Sequence, residues 1–539
     1  MTRYDLVVVG AGPAGLSAAA EAAKAGLSVC VFDENAKPGG QLFKQIHKFF
    51  GSKEHRAKTR GIRIGEELLA EAAAAGVEVV LDAAVLGLFA ERELTVRVGD
   101  EVRHVKGDAI VVATGASENM VPFENWTLPG VIGAGAAQTM MNLHGVRPGK
   151  RVLMLGSGNV GLVVSFQLLQ AGCEVVAIAD LAPSVGGYGV HASKLARTGV
   201  PFYLSHTIVR AEGTDHVERV TIAEVDASVP GCVFVPRSEK TFDVDTICIA
   251  VGLTPMAQLL NMAGCEMKDD PARGGLVPVL DAYGETSIPG VYAAGDVSGI
   301  EEASAAMIEG RIAGLAAARR LGFLEEGAFA EAVAAQEAAL AGLRKGMFAP
   351  GNKGKVFEAT DEGVPIAKNL LRKGFLSEEE AKRFWLDSRV KPENDNRYSG
   401  VHPVIECTQN IPCNPCQDAC AKGCILVGAD ITALPVVGKP EDCTACGLCV
   451  ASCSGQAIFL VNEDAGDGFA EVTLPYEFLP LPESGQKGAA LARDGQALCA
   501  AEVVKAAAPK AFDKTCLLTM RVPKEYAQTA RFFKAEVGA

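Results

Sequence analysis

"YDLVVVGAGPAGLSAAAEAAKAGLSVCVFDE" (residues 4–34) reads as a strand, a glycine turn, a helix and a second strand. In such a unit Gly10 allows the tight turn, Gly12 lets a pyrophosphate approach the backbone, and Gly15 lets the helix pack close to the strand. The unpaired N–H groups and positive dipole end of the helix N-terminus then face the phosphates. Asp33 ends the second strand, with Glu34 behind it, at the distance of about 20 residues where an acid can take a ribose hydroxyl. Three glycines alone recur by chance. With both strands, the helix and the acid in place, the stretch predicts a dinucleotide-binding βαβ unit.

A second unit follows in "KRVLMLGSGNVGLVVSFQLLQAGCEVVAIAD" (150–180), with Gly156, Gly158 and Gly161. The run from the last motif glycine to the next glycine has the same length in both units, Gly15 to Gly26 and Gly161 to Gly172, but the strand that follows is one residue longer. By count Asp180 therefore aligns with Glu34 and Ala179 with Asp33, which predicts a ribose acid displaced by one position. No arginine pair follows to hold a 2′-phosphate, which favours NAD over NADP. A unit kept for packing, or for a different adenine nucleotide, is the alternative.

At 539 residues the chain is long enough for more than one domain. Sixty-five acidic side chains against fifty-one basic ones give a formal charge of −14, which argues against a broad phosphate-binding surface and so against nucleic acid as a partner. No apolar run is long enough to span a bilayer, and "MTRYDLVVVGAG" leads into a strand without a signal-peptide layout, so a cytoplasmic location is expected. Nine of the sixteen cysteines lie between 407 and 453. In a reducing compartment such clustering points to metal or redox work rather than to disulfides.

Further landmarks are "DAIVVATGA" (108–116), a buried strand ending in Ala113, Thr114 and Gly115, and its echo "DTICIAVGLTP" (245–255). "IPGVYAAGDVSGIEEASAAMIEGRIAGLAAA" (288–318) is a strand ending in Gly295 and Asp296, followed by a helix of small residues. In this order over about residues 1–325, the landmarks resemble the two-dinucleotide-binding-domain flavoproteins, the pyridine nucleotide–disulfide reductase fold. The resemblance implies FAD in the first unit and NAD(H) in the second, inserted into it. It also implies that Asp296 holds the ribityl or pyrophosphate region, and that Gly40, Gln41 and Leu42 of "GGQL" (39–42) run beside the flavin. The redox-active cysteine pair of the disulfide reductases is missing, so disulfide reduction is excluded, and Val163 and Val164 stand where NAD(P)H-using members often carry a Glu.

"ENWTLPGVIGAGAAQTMMNLHGVRPGKRVLMLGSGNVG" (124–161) is similar to the FAD/NAD-binding subunits of hydrogen cyanide synthase, opine oxidase and the heteromeric proline or hydroxyproline dehydrogenases, and to part of the sarcosine oxidase alpha subunit. That resemblance implies a partner in the form of an amine-oxidase-like flavoprotein subunit, with a possible further small electron-transfer subunit, and a hetero-oligomer.

"CTACGLCVASCSGQAI" (443–458) has the CxxCxxCxxxC spacing of bacterial ferredoxins, in which the fourth cysteine ligates the other cluster. Ser454 stands where Pro usually follows. In "ECTQNIPCNPCQDACAKGC" (406–424), alignment on the tails matches Cys420 to Cys453, Cys416 to Cys449 and Cys413 to Cys446. Cys424 then falls on Ala457 and is the spare, while Asn410 occupies the place of Cys443, leaving Cys407 as the replacement. The swap rule predicts two [4Fe–4S] clusters, one on Cys407, Cys413, Cys416 and Cys453, the other on Cys443, Cys446, Cys449 and Cys420. A single complete cluster with the first site three-iron or empty is the alternative, and zinc on CxxC pairs is the plainer reading.

The expected architecture is α/β. A discontinuous FAD domain (1–117 and 246–325) carries an inserted NAD(H) domain (118–245), and the two are nested Rossmann-like units. A helical connector (326–400) leads to a small ferredoxin-like α+β iron–sulfur domain (401–465) and a small β module (466–539). The eight histidines form no metal-spaced pair, and no nucleophile-and-base arrangement is found, so cofactors are expected to carry the chemistry. The reading is an electron-transfer flavoprotein subunit of an amino-acid or secondary-amine dehydrogenase. Its competitors are a self-contained NADH-dependent oxidoreductase and a non-catalytic scaffold binding ATP or ADP.

Overall fold

The computed structural model describes residues 2–345, 348–349 and 400–536. The chain divides into two compact units: one joins the chain up to Asn119 with the chain from Gly252 onward, and the other holds Met120–Val251 and the C-terminal part.

In the first unit, Thr2–Val9 pairs in parallel with Val29–Phe32 on one side and Glu101–Val112 on the other. Val291–Ala293 joins Glu101–Val112, also in parallel. These strands are apolar on both faces because both are covered. Leu6, Val8, Val31 and Val111 belong to one core, and Val7, Val9, Cys30 and Val112 to another. The small-residue helix foreseen after Asp296 is Ala303–Arg320. It crosses the helix Pro13–Lys24 so closely that a Cβ on Gly310 would lie 2.1 Å from the Ala14 carbonyl oxygen, and one on Gly314 2.3 Å from that of Ala18. Glycine here is a packing requirement of two touching backbones.

The second unit contains a parallel sheet in the order Phe202–Leu204, Glu174–Asp180, Arg151–Leu155, Thr246–Ile249, Val131–Gly133. Thr246–Ile249, expected to open the return to the FAD domain, lies inside this sheet instead. Its partners are Arg151–Leu155 and Val131–Gly133, so the return begins at Gly252.

The C-terminal part of this unit is built on one seven-stranded antiparallel sheet, ordered Val401–Ile405, Ile458–Asn462, Phe469–Tyr476, Cys516–Pro523, Ala497–Ala507, Lys487–Leu491, Phe532–Ala535. The boundary expected at 465 therefore does not separate two sheets: the strands flanking the cysteine block continue into the C-terminal strands, and Phe459, Val461, Val472, Leu518 and Phe533 share one core. Two short helices, Pro415–Ala419 and Leu448–Ser452, carry the cysteine motifs. Of the expected helical connector, Glu326–Leu343 is a helix, whereas residues 350–399 lie outside the described residues. Among the described residues no helix is long and apolar enough to cross a membrane.

The helix crossing gives a test with two signs. Gly310→Ala should destabilise the protein by about 1–3 kcal/mol through overpacking against backbone. Gly327→Ala, at an exposed position of the helix Glu326–Leu343 with nothing within 4 Å of the added Cβ, should be neutral or stabilising by up to about 1 kcal/mol. Chemical denaturation of both variants checks the pair.

Candidate functional site

The two glycine turns repeat one another atom for atom. A Cβ on Gly10 would lie 2.4 Å from the Ala113 carbonyl oxygen, and one on Gly156 2.2 Å from that of Ala250. A Cβ on Gly15 would lie 1.8 Å from the Gly10 oxygen, and one on Gly161 2.1 Å from the Gly156 oxygen. The first and third glycines are thus fixed by packing. The second is different: around Gly12 and Gly158 a Cβ would meet nothing within 4 Å. Open space beside the first N–H groups of Pro13–Lys24 and Asn159–Gln170 is what a pyrophosphate requires, so both turns fit a dinucleotide.

The acids also repeat, and here the alignment by count is corrected. Asp33 Oδ2 accepts the Ala11 N–H at 2.6 Å, and Asp180 Oδ2 accepts the Ser157 N–H at 2.6 Å. Asp180 is therefore the counterpart of Asp33, not of Glu34. The extra residue is absorbed upstream by a bulge between Val175 and Ala177 against Arg151–Leu155. Both aspartates are occupied with the fold: Asp33 also takes the Asn35 N–H and side-chain amide, and Asp180 the Ala182 N–H. The exposed position beyond the acid is Glu34 in the first unit and Leu181, 55% exposed, in the second.

The glycine pair after each acid repeats as well, which the sequence reading missed although the spacing signals it: Asp33 to Gly39–Gly40, Asp180 to Gly186–Gly187. Gly39 N–H donates to the Ala11 oxygen at 2.7 Å and Gly187 N–H to the Ser157 oxygen at 2.9 Å. A Cβ on Gly40 would stand 2.9 Å from Gly12 Cα, which brings "GGQL" against the first turn. Gln41 is exposed and Leu42 buried. In the second unit Tyr188 N–H donates to Asn159 Oδ1 at 2.8 Å.

Of the remaining residues, Thr114 Oγ1 donates to the Met256 carbonyl at 2.8 Å, and Gly115 has a positive φ of 72°. Gly295, at φ 79°, sits where a Cβ would meet Ala14 Cβ at 2.9 Å. Asp296 is half-buried. Burial pushes its carboxyl up to about 7, and Glu302, Glu309 and Glu301 push the same way against the Glu301 N–H that it accepts at 3.3 Å. It lies ahead of the helix Ala303–Arg320 rather than on its first turn. Burial also pushes the Cys30 thiol up to about 12, which marks it as a packing cysteine.

The cysteine block falls into two neighbourhoods. Burial and the thiols of Cys453 and Cys416 push Cys407 up, and burial with Cys453 pushes Cys416 up to about 12. Burial and the thiols of Cys443, Cys446 and Cys420 push Cys449 up. Cys420 of the earlier motif thus sits with the later one, and Cys453 of the later with the earlier. The tail register is reproduced: the Cys424 N–H donates to Cys420 Sγ at 3.2 Å and the Ala457 N–H to Cys453 Sγ at 3.3 Å. Cys413 donates its N–H to the Ile431 oxygen at 2.7 Å. Among the described residues no three His, Cys, Asp or Glu side chains converge to hold one metal ion. A cluster gives each thiolate its own iron, and each soft donor set, with an N–H group on one of its sulfurs, fits one.

Beneath the first neighbourhood lies a buried ion cluster that sequence reading did not find. Glu406 Oε1 accepts from Arg493 Nε at 3.0 Å and from Arg531 Nε at 2.5 Å. Burial opposes the charge, but the two guanidiniums overcome it and hold the carboxyl at about 2. The three residues are far apart in sequence, and neither their spacing nor their type sets them apart from surface charges.

Two outcomes test this description. Glu406→Gln should destabilise the protein by about 3–5 kcal/mol, because it leaves buried guanidiniums uncompensated. Asp296 works in the other direction. Its raised folded value carries no penalty below its ordinary 3.8, and a penalty that grows as pH rises toward about 7. FAD-free Asp296→Asn should therefore be more stable than FAD-free wild type at pH 8, by about 1–4 kcal/mol, and equal to it below pH 4. Denaturation midpoints across that range measure the gap.

Comparison with known proteins agrees with this geometry. Residues 4–310 match the family described as pyridine nucleotide-disulphide oxidoreductase. The chain is 33% identical over 342 residues to an opine oxidase subunit from Agrobacterium tumefaciens (strain Ach5), a match covering 58% of this chain and 65% of that protein. It is 30% identical over 335 residues to the HcnB subunit of hydrogen cyanide synthase from Pseudomonas aeruginosa, covering 57% and 69%. The chain thus spans just under two thirds of the length of the Agrobacterium protein. The crystal structure of L-proline dehydrogenase from P. horikoshii superposes with a TM-score of 0.50 at 24% identity, over 69% of this chain and 67% of that one, which shows a shared fold. The family match ends ahead of the cysteine block. Since it spans more than half of the sequence, and the two turns are built as such a fold requires, the chain belongs to the pyridine nucleotide-disulphide oxidoreductase family and is an FAD-dependent oxidoreductase of that class.

Proposed function

We propose that this chain is the electron-transfer flavoprotein subunit of a heteromeric amino-acid or secondary-amine dehydrogenase. It would link a partner flavin subunit to NAD(H) through two [4Fe–4S] clusters and FAD. Bound FAD supplies exchange between two-electron and one-electron transfer, and the clusters supply one-electron steps. The chain's own residues bind and orient. Gly12 and the N–H groups of Pro13–Lys24 take the FAD pyrophosphate, the exposed Glu34 carboxylate takes the adenosine ribose, and Asp296 takes the ribityl or pyrophosphate side. Gly158 and the helix Asn159–Gln170 take the second nucleotide. Cys407, Cys413, Cys416 and Cys453 hold one cluster, and Cys420, Cys443, Cys446 and Cys449 the other. The relatives named as oxidase or synthase subunits support the heteromeric reading. The observation that carries the proposal is the exchange of Cys420 and Cys453 between the two cysteine neighbourhoods.

A second reading is favoured by Leu181. With a leucine where the first turn presents Glu34, the second unit has no carboxylate at that tip for a ribose hydroxyl. An adenine nucleotide bound only for stability would then fill it.

Anaerobic titration with NADH, tracking flavin and iron–sulfur absorbance together, separates the two. Bleaching of both bands is expected. If dithionite reduces both while NADH moves neither, the nicotinamide role fails and the stabilising nucleotide stands. Iron analysis tests the cluster assignment: Cys424→Ala should keep the full iron content, and Cys453→Ser should lose about half of it.

A further inference from the structure

The helix Gly189–Ala196 comes directly after the loop that closes over the second glycine turn. Both of its ends reach the loops around one cysteine neighbourhood. At its start the Gly189 N–H donates to Gln409 Oε1 at 2.6 Å, two residues past Cys407. A Cβ on Gly455, two residues past Cys453, would lie 2.6 Å from Val190 Cγ2. Just past its end, Arg197 donates through Nη1 to the Gln456 oxygen at 2.9 Å and through Nη2 to Gln456 Oε1 at 3.3 Å.

Arg197 is 5% exposed. Among the described residues it has no carboxylate at ion-pair distance. Its guanidinium lies 5.3 Å from the centre of the Phe459 ring, and that of Arg531 lies 4.9 Å from the same ring. Burial pushes Arg197 down to about 10, with Glu406 and Cys453 the groups opposing that shift, so it stays charged at neutral pH. Three buried guanidiniums, Arg197, Arg493 and Arg531, therefore face one buried carboxylate, Glu406. Arg197 is thus a buried positive charge in a low-dielectric region that acts on Cys453. The exposed Asp418, beside Cys416, is the opposing charge on the solvent side. On the thiols of Cys443 and Cys449 burial and the neighbouring thiols dominate.

We propose that Arg197 is a positioning residue that makes the site of Cys407, Cys413, Cys416 and Cys453 the higher-potential of the two cluster sites, the one that draws the electron. This rests on the two-cluster reading above. A fixed cation in a poorly screened interior favours whichever state of a bound cluster carries one more electron. The carrier of that charge comes from the nucleotide-binding part of the unit, so the cysteine block alone does not hold its own potential.

The test is a dithionite redox titration of the full-length, cluster-replete protein, monitored by electron paramagnetic resonance. In Arg197→Gln, one of the two one-electron steps should move to lower potential, with about a tenfold fall in the reduced-to-oxidised ratio at fixed potential, or 59 mV for one electron. The other step should stay. Arg197→Lys, which keeps the charge, should restore most of the shift. Gln456→Glu keeps the hydrogen-bond acceptor and neutralises Arg197 in place, so it should move the same step in the same direction even if Arg197→Gln does not fold. The proposal is overturned if both Arg197→Gln and Gln456→Glu leave the steps in place, if both steps move together, or if Arg197→Lys shifts as far as Arg197→Gln. Wild-type protein that takes up no iron and sulfide would overturn the cluster reading itself, an outcome that iron and sulfide assay separates from the others.

Discussion

Each nucleotide fold depends on one short hydrogen bond between a buried aspartate and the backbone of the turn it faces. Asp33 holds the Ala11 N–H and Asp180 the Ser157 N–H. The bond ties the end of the second strand to the bend after the first, and so sets where the helix begins. Once the bend is fixed, Gly10 and Gly156 are pressed on the Ala113 and Ala250 carbonyls, and no other residue type fits. The open side at Gly12 and Gly158 is a consequence: the backbone crowds one side of the turn and leaves the other clear for a ligand. An aspartate so placed is a structural acid. At the exposed residue after it the two units part company, Glu34 against Leu181.

The C-terminal part has its own tie. Glu406 precedes the first cysteine of the block, yet its partners, Arg493 and Arg531, come from the far end of the chain. Arg531 and Arg493 also donate to the Gln528 oxygen. The cysteine motifs are therefore anchored to loops between strands more than eighty residues downstream. This accounts for the single seven-stranded sheet where two modules were expected. Short helices such as Pro415–Ala419 and Leu448–Ser452 bury little surface of their own, and the neighbouring sheet supplies the core that they lack.

The βαβ units, their glycines and the order of landmarks were legible because each rests on local spacing, which a sequence displays directly. The register of the two cysteine tails was legible for the same reason, and the paired N–H bonds on Cys420 and Cys453 agree with it. Counting through a strand failed. One residue inserted in Glu174–Asp180 looks the same in sequence whether it shifts the acid or bulges out upstream, and only the pairing with Arg151–Leu155 decides. The boundaries at 246 and 465 failed similarly, because strand partnership is a long-range property. The Glu406 cluster was invisible, since a buried charge and a surface charge are the same letter.

The duplicated turn bears on how far fold can speak for function. Gly39–Gly40 in the first unit and Gly186–Gly187 in the second both fold back on their turns, through the N–H of Gly39 in one and of Gly187, one position later, in the other, so the repeat extends beyond the βαβ unit to the loop after the acid. Past that loop the two units diverge. In the first the chain goes on through the "GGQL" turn. In the second it becomes the helix Gly189–Ala196, whose ends grip the loops of Cys407 and Cys453. The same loop leads in one unit to a turn packed against Gly12 and in the other to a helix tied to the cysteine block. A ligand that displaced Tyr188 from Asn159 would act on the start of that helix, and through a rigid two-turn element on both cysteine loops at once. The second turn and the cysteine block are therefore tied through one helix, and the cysteine side of that tie lies beyond the family match, which ends at residue 310.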